Sequence, residues 1–184
     1  LTAEQQVSVL QNALQLSENN TFGLQVGRML PLPSHGAMGF MLNSSKNLEE
    51  AICAMERFVH TALNFMRIKA AKDEEWIEVY CFFDLTLTPE VYRLLCEIFL
   101  SVIFDCATFI VGKQLSNTTI YLKYDKPSYS AQYARYLCAD IKYSASYTAI
   151  RIPISLCQQS NASSNPENFL FAMEQCYSLN SKKP

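Results

Sequence analysis

The sequence predicts an α+β fold, a single domain in which an antiparallel or mixed sheet packs against several helices. Three observations point there. The 184 residues are 49% hydrophobic, enough to bury one full core. Capped stretches of helical period are interspersed with short runs of period two. No internal repeat or flexible linker divides the chain, so helices and strands share one domain over 1–184.

The elements follow in order. Thr2 and Gln5 have the spacing of a capping box, in which side chains satisfy the free N–H groups of a first turn, and Val7, Leu10 and Leu14 line one face of the helix behind them. After Ser17 to Asn20 a short second helix, "TFGLQVGRML", presents Phe22, Val26, Met29 and Leu30 and is stopped by Pro31 and Pro33. "GAMGFML" reads as a short buried strand. A second capping box, with Asn47 as cap and Glu50 reaching back, opens a helix expected to run to about Met66, with His60 on its solvated face.

"MRIKAA-KDEE-WIEVYCFFD" predicts two strands joined by a polar turn. Because strand side chains alternate, Ile77, Val79, Cys81 and Phe83 point one way and Trp76, Glu78, Tyr80 and Phe82 the other. Thr88-Pro89-Glu90 supplies a cap, a first-turn proline and a first-turn acid, so a long helix begins there and ends at Gly112. It is apolar almost all round, which predicts a central, buried helix. "TTIYLKY" is a strand with Ile120, Leu122 and Tyr124 inward. Tyr129, Tyr133 and Tyr136 recur at helical spacing, "SYTAIRIPI" is a last strand, "QQSNASSN" is a loop, and Asn165-Pro166-Glu167 caps a closing helix.

Charge and cysteine usage narrow the function classes. Lys and Arg total 15 against 17 Asp and Glu, a net charge of −2, whereas a protein gripping phosphate backbones concentrates positive charge. Nucleic-acid binding by this chain alone is therefore not expected. The seven cysteines are odd in number and form no C-x-x-C pair, which suits free core thiols in a reducing cytoplasm. The longest apolar run is broken by Ser101 and Asp105 and no charged, apolar leader precedes it, so neither secretion nor membrane spanning is expected. Opening on Leu1 and stopping at Lys182-Lys183-Pro184, the chain reads as a piece of a longer one.

Chemistry is sparse. Ser34 beside His35 lacks the strand-turn-helix setting of an activated serine, and the better reading of His35 is a turn histidine bonded to backbone. The cysteines are too scattered for a zinc site, Glu74-Glu75 is a solvated turn, and Gly36 and Gly39 do not form a phosphate loop. No catalytic residue, metal ligand or cofactor is expected. What remains is the second face of the sheet, where Trp76, Tyr80, Phe82, Tyr121 and Arg151 stand beside Glu78 and Lys123. An apolar floor with a few charged groups suits a ligand, and equally a covered sheet or a dimer interface. Glu97, on the buried helix, needs a partner, and Arg93 one turn earlier is the local candidate.

Several segments in fixed order carry a family resemblance: Phe22-Gly23-Leu24-Gln25-Val26-Gly27, "HGAMGFMLNSSKNLEEAI", the long helix "EVYRLLCEIFLSVIF" with Glu97 at its centre, the strand, proline, tyrosine-bearing helix and final strand pair from Thr118 to Pro153, and "NPENFLFAMEQC". Over about residues 5 to 179 the chain resembles the N-terminal effector domain of AraC-family transcriptional regulators, the arabinose-binding-like type. It departs from the pattern at Leu137-Cys138 and at Tyr124-Asp125-Lys126-Pro127. The resemblance implies a non-enzymatic, cytoplasmic bacterial sensor, possessing a small-molecule effector as ligand and reaching DNA only through a C-terminal helix-turn-helix domain absent from this chain. Trp76, Tyr80, Phe82, Tyr121, Arg151 and Glu97 are its expected ligand-contacting residues, although no arabinose-specific pocket is evident. A ligand-free dimerisation module, a homodimer through the aromatic sheet face, is the alternative. A haem or other cofactor sensor is a third reading, with neither histidine in an axial-ligand context.

Overall fold

The computed structural model describes residues 2–181. Leu1 and residues 182–184, on which the reading of a longer chain leaned, lie outside them. Helices α1 (Ala3–Ser17), α2 (Phe22–Arg28), α3 (Gly36–Ser44) and α4 (Leu48–Ala62) come first, followed by the hairpin β1 (Met66–Lys72) and β2 (Trp76–Phe83). The long α5 (Pro89–Val111) leads into β3 (Thr119–Tyr121), a 3-10 segment (Ser130–Arg135), β4 (Asp140–Lys142) and β5 (Ala149–Pro153). The short α6 (Ile154–Cys157) and the closing α7 (Pro166–Ser181) complete the domain.

The sheet is mixed, with strand order β1-β2-β5-β3-β4. Three of its four pairings are antiparallel, and β3 with β4 is parallel. One face carries Ile68, Ile77, Val79, Ile120, Ile150 and Ile152, all buried, and meets the helical layer, in which α4 packs on β1. Burying these side chains is the main favourable term, roughly 1.5–3 kcal/mol for each large aliphatic group.

The caps behave as their chemistry requires, with one amendment. Thr2 and Gln5 form both bonds of the capping box, and Thr88 accepts from the backbone of Val91. Asn47 Oδ1 accepts from the Glu50 amide at 2.9 Å, but the Glu50 carboxylate reaches back to the amide of Lys46, at 2.6 Å, one residue beyond the cap. Gly112 ends α5 at φ 73°, the left-handed conformation that glycine adopts without a Cβ penalty.

α5 is long and apolar enough to cross a membrane by length and composition, yet 72% of its most apolar window is buried inside the domain. α2 lies closest to it. A Cβ on Gly23 would stand 2.8 Å from Glu97 Cβ, and one on Gly27 would stand 2.5 Å from Ser101 Cβ. Two glycines one turn apart thus let the helices touch backbone to side chain, which accounts physically for the Phe-Gly-Leu-x-Val-Gly segment. Ser101 Oγ fixes the contact by donating to Leu24 O at 2.9 Å.

Several local expectations are corrected. "GAMGFML" is the helix α3, not a strand: five of its nine residues are buried, and it packs against α7, α4 and the 3-10 turn Leu32–His35. A short apolar run carries no period that separates the two. α4 ends at Ala62, four residues before Met66, because the chain turns there into β1. His60 is half-buried, its Nε2 2.7 Å from Asn180 Oδ1 on α7. The tyrosine segment is 3-10 and short.

Candidate functional site

The five expected residues on the sheet do come together. Trp76 and Tyr80 project from β2 to the face opposite the core, Arg151 pairs with Glu78 across β2 and β5, and Tyr121 pairs with Ala149 across β3 and β5. The Arg151 guanidinium lies 4.6 Å from the Trp76 ring centroid, and its Nε is 3.4 Å from Glu78 Oε1. That Nε is buried and makes no hydrogen bond, because the ion pair is not aligned as one. The Tyr80 hydroxyl donates to the other Glu78 oxygen, and this bond is the first cause of a phenol pushed up to about 12. Tyr147, which sequence reasoning missed, joins the cluster between Tyr80 and Tyr121, at centroid distances of 5.2 and 5.6 Å. On this face Phe82 is 42% exposed. A cation stacked on an indole and steadied by a carboxylate makes a polar-aromatic surface, worth roughly 0.5–1 kcal/mol for the exposed stacking.

Glu97 is not part of that cluster. It is 2% exposed and projects toward α2 and the 3-10 segment. Its partners are the hydroxyls of Tyr129, at 2.6 Å, and Tyr133, at 2.7 Å, both donating to Oε1. Since Tyr133 spends its one proton on Glu97, Tyr124, 3.0 Å away, is the donor to Tyr133. Arg93 stacks over Tyr129 at 5.6 Å in place of an ion pair with Glu97. Burial is the largest influence on Glu97 and raises its pKa, against the opposing effect of the two phenols. Beside it lies a polar recess of about 180 Å³ walled by Glu18, Asn19, Asn20, Glu90 and Arg93.

The third feature was not legible in the sequence. A cavity of about 260 Å³ lies in the core between α3, α4, β1 and α5. Met38 and Leu42 of α3, Met55 and Val59 of α4, and Met66 and Ile68 of β1 form one side. The other is α5, through Leu95, Ile98, Phe99, Val102, Ile103 and Cys106. At 100° per residue these six lie on the side of α5 opposite Glu97 and Ser101. Leu30, Leu32 and His35, each half-buried, line a mouth where the cavity nears the surface, and Ala62, Leu63 and Phe83 are further lining residues that are not fully buried. His35 is the turn histidine expected, with Nε2 3.2 Å from Leu30 O. Leu30, Leu32, Val102 and Cys106 also line a surface recess of about 270 Å³ beside Arg28, Asn43 and Asp105, so the two spaces adjoin.

Among the described residues, no group of three or more His, Cys, Asp or Glu side chains is placed to hold a metal ion. The arrangement suits binding: an apolar space that is partly open to the surface, one helix that forms a wall of it, and polar contacts on that helix's far side.

Comparison with known proteins places this geometry. Residues 1–161 match the model of the arabinose-binding domain of AraC transcription regulators, N-terminal. The ornithine utilization regulator of Pseudomonas aeruginosa is 22% identical over 158 residues, covering 85% of this chain and 46% of that protein. The chain thus spans about half the length of the curated relative it matches. The crystal structure of the transcriptional regulator CdpR from Pseudomonas aeruginosa superposes with a TM-score of 0.67 at 15% identity, covering 97% of this chain and 65% of that one, which supports the shared fold. The fold is the α+β one expected, and the family is the one its motifs resemble: the chain belongs to the N-terminal arabinose-binding domain family of AraC transcription regulators.

Proposed function

We propose that this domain is the non-enzymatic effector sensor of a cytoplasmic AraC-type regulator, acting on DNA through a helix-turn-helix domain elsewhere in the protein. The observation that carries the proposal is the position of α5 between the core cavity and two polar anchors. A molecule that fills the cavity pushes on one side of α5. The opposite side holds α2 through Ser101 and the tyrosine segment through Glu97. Packed elements have discrete arrangements, so a ligand that fits one arrangement better shifts the population toward it. That shift changes the surface offered to the DNA-binding half. Thermal-shift measurement against a metabolite panel tests the proposal. At a concentration 100 times Kd, a ligand specific for the folded state adds about 2.7 kcal/mol, and a panel that leaves the melting temperature unmoved counts against it.

The aromatic sheet face supports a second role as the ligand-contacting or self-association surface formed by Trp76, Tyr80, Phe82, Tyr121 and Arg151. The exposed Phe82 and the Arg151 guanidinium stacked on Trp76 favour it, because an aromatic surface holding a fixed cation suits an aromatic or anionic partner. Light scattering of Arg151→Ala and Trp76→Ala, beside calorimetry on the same variants, separates the two roles. Loss of a dimer marks a homodimer interface, loss of ligand affinity marks a ligand surface, and no change in either removes both.

A further inference from the structure

We infer that the core cavity takes a ligand with a hydrocarbon body, aliphatic or monoaromatic, carrying at most one hydrogen-bonding group, and that it rejects free sugars and charged amino acids. This inference rests on the effector-sensor reading and narrows it to a chemical class. The wall is the first ground. Of the side chains around the cavity, only His35 at the mouth and the thiol of Cys106 are polar. Burial pushes that thiol up to about 12, so it stays neutral. A pentose carries several hydroxyls. Each one buried without a partner costs roughly 2–7 kcal/mol in an apolar medium, so two unmet hydroxyls already outweigh the gain from enclosing so small a molecule. An ammonium or carboxylate is worse still.

Size and adaptability are the second ground. An engineered cavity of about 150 Å³ lined by aliphatic and aromatic side chains stays dry and binds benzene. This one, at about 260 Å³, has room for a substituted ring or a medium alkyl chain. Three of the chain's six methionines, Met38, Met55 and Met66, are in its wall. Their unbranched, polarizable side chains adapt to irregular apolar guests.

The mouth adds a polarity rule. His35 Nε2 faces a carbonyl, which only accepts, so Nε2 carries the proton in this contact and the neutral ring's other nitrogen is an acceptor. A single ligand hydroxyl suits that acceptor better than a carbonyl does. Leu30 and Leu32 line both the cavity and the adjoining surface recess. The residue after His35, Gly36, holds φ 58°, a backbone state that glycine adopts without a Cβ penalty and that lets the chain turn from the 3-10 segment into α3.

The test is thermal shift and calorimetry on the chain with propylbenzene and 1-octanol as probes and L-arabinose and L-ornithine as controls. Both probes are expected to raise the melting temperature by several degrees, and both controls to leave it unmoved. Val102→Phe, which places a ring in the cavity, is expected to weaken both probes at least tenfold. Ile98→Phe serves the same purpose if Val102→Phe does not fold. His35→Leu is expected to weaken 1-octanol more than propylbenzene. Binding of arabinose or ornithine, with no response to the apolar probes, overturns the ligand class and leaves the sensor reading intact. Silence from all four compounds and from a wider metabolite panel overturns both. Apolar binding that survives both phenylalanine variants overturns the cavity as the site.

Discussion

Tyr133, fully buried, donates its hydroxyl to Glu97 at 2.7 Å across 36 residues of sequence, and the same oxygen of Glu97 also receives the hydroxyl of Tyr129. One carboxylate on α5 thereby secures the segment between β3 and β4. Glu97→Ala leaves two phenols short of an acceptor and opens a gap beside Gly23. An unsatisfied buried group costs about 1–3 kcal/mol, so a destabilisation of at least about 2 kcal/mol is expected in urea melts. Glu97→Gln keeps an acceptor oxygen in the same place and is expected to cost much less at neutral pH. Equal losses for the two variants refute the hydrogen-bond account.

The same carboxyl makes stability depend on pH with a definite sign. Its folded pKa is raised above the ordinary 4.5, chiefly by burial. A group shifted upward binds its proton more tightly in the folded state. Its contribution is therefore fully present below the unfolded value and is lost as pH rises through the folded one. Wild type should lose stability relative to Glu97→Gln as pH climbs from about 4 toward neutrality. Subtracting the variant's curve cancels Asp105, whose pKa is also raised by burial. A difference that stays flat, or grows in favour of wild type, contradicts the assignment.

Three glycines set how closely helices approach. A Cβ on Gly39 would lie 1.7 Å from Leu32 O, and one on Gly27 would lie 2.5 Å from Ser101 Cβ and 2.7 Å from Ile98 O. At Gly23 the nearest atom is a side-chain oxygen, Glu97 Oε2, at 2.7 Å, although Glu97 Cβ and Leu94 O follow at 2.8 and 2.9 Å. Overpacking costs typically about 1–3 kcal/mol, more when backbone has to move. Alanine is therefore expected to destabilise in the order Gly39, Gly27, Gly23, measured as shifts in denaturant midpoint. Gly39→Ala should also displace the 3-10 turn over the cavity mouth, so its probe binding should change together with its stability.

What the sequence made legible was local. The Thr2 and Thr88 caps and the Asn47 cap are side chain to backbone contacts three residues long, and the Ile77, Val79, Cys81 alternation is a property of one strand. α3 was not legible, because seven apolar and small residues fit a buried strand and a buried helix equally; packing on α7, more than 120 residues later, decides it. Glu97 and the tyrosines were each visible, but their joining depends on how β3 returns the chain across α5. The cavity had no signal at all, since its lining residues read as ordinary core and only the imperfect meeting of four elements leaves the space.

Asn161 illustrates the same limit inside a segment that reads as a polar loop. It is 5% exposed, and its Nδ2 donates to the carbonyls of Asn43 and Ser45, both at 2.8 Å. Its Oδ1 accepts from the Ser163 amide, and its own amide donates to Lys46 O. One side chain thus clamps the turn between α3 and α4 to the strand-like contact of Asn47 with Ser160. Asn161→Ala strips partners from two carbonyls in a water-poor place and should cost about 2 kcal/mol or more. Asn161→Asp offers acceptors where donors are needed and is expected to be at least as harmful. Melting temperatures near wild type for both variants rule out the clamp.

The cysteines give a readout of the same packing without any ligand. Cys81, Cys96, Cys106, Cys157 and Cys176 are buried and free, while Cys53 and Cys138 are exposed. The thiolate is the reactive form, so both access and pKa govern labelling. Burial pushes Cys96, Cys106 and Cys157 up to about 12 and raises Cys81 well above the ordinary thiol range. Cys53 is also raised, first by partial burial and then by Glu49 and Glu56 on its own helix. A charged disulfide reagent at pH 8 should therefore label two thiols before unfolding, Cys53 more slowly than a free cysteine, and the remaining five only when urea opens the core. Early labelling of Cys106, which lines both the cavity and the adjoining recess, would mean that α5 is reached by a charged molecule on that side without unfolding, contrary to the burial of this cysteine.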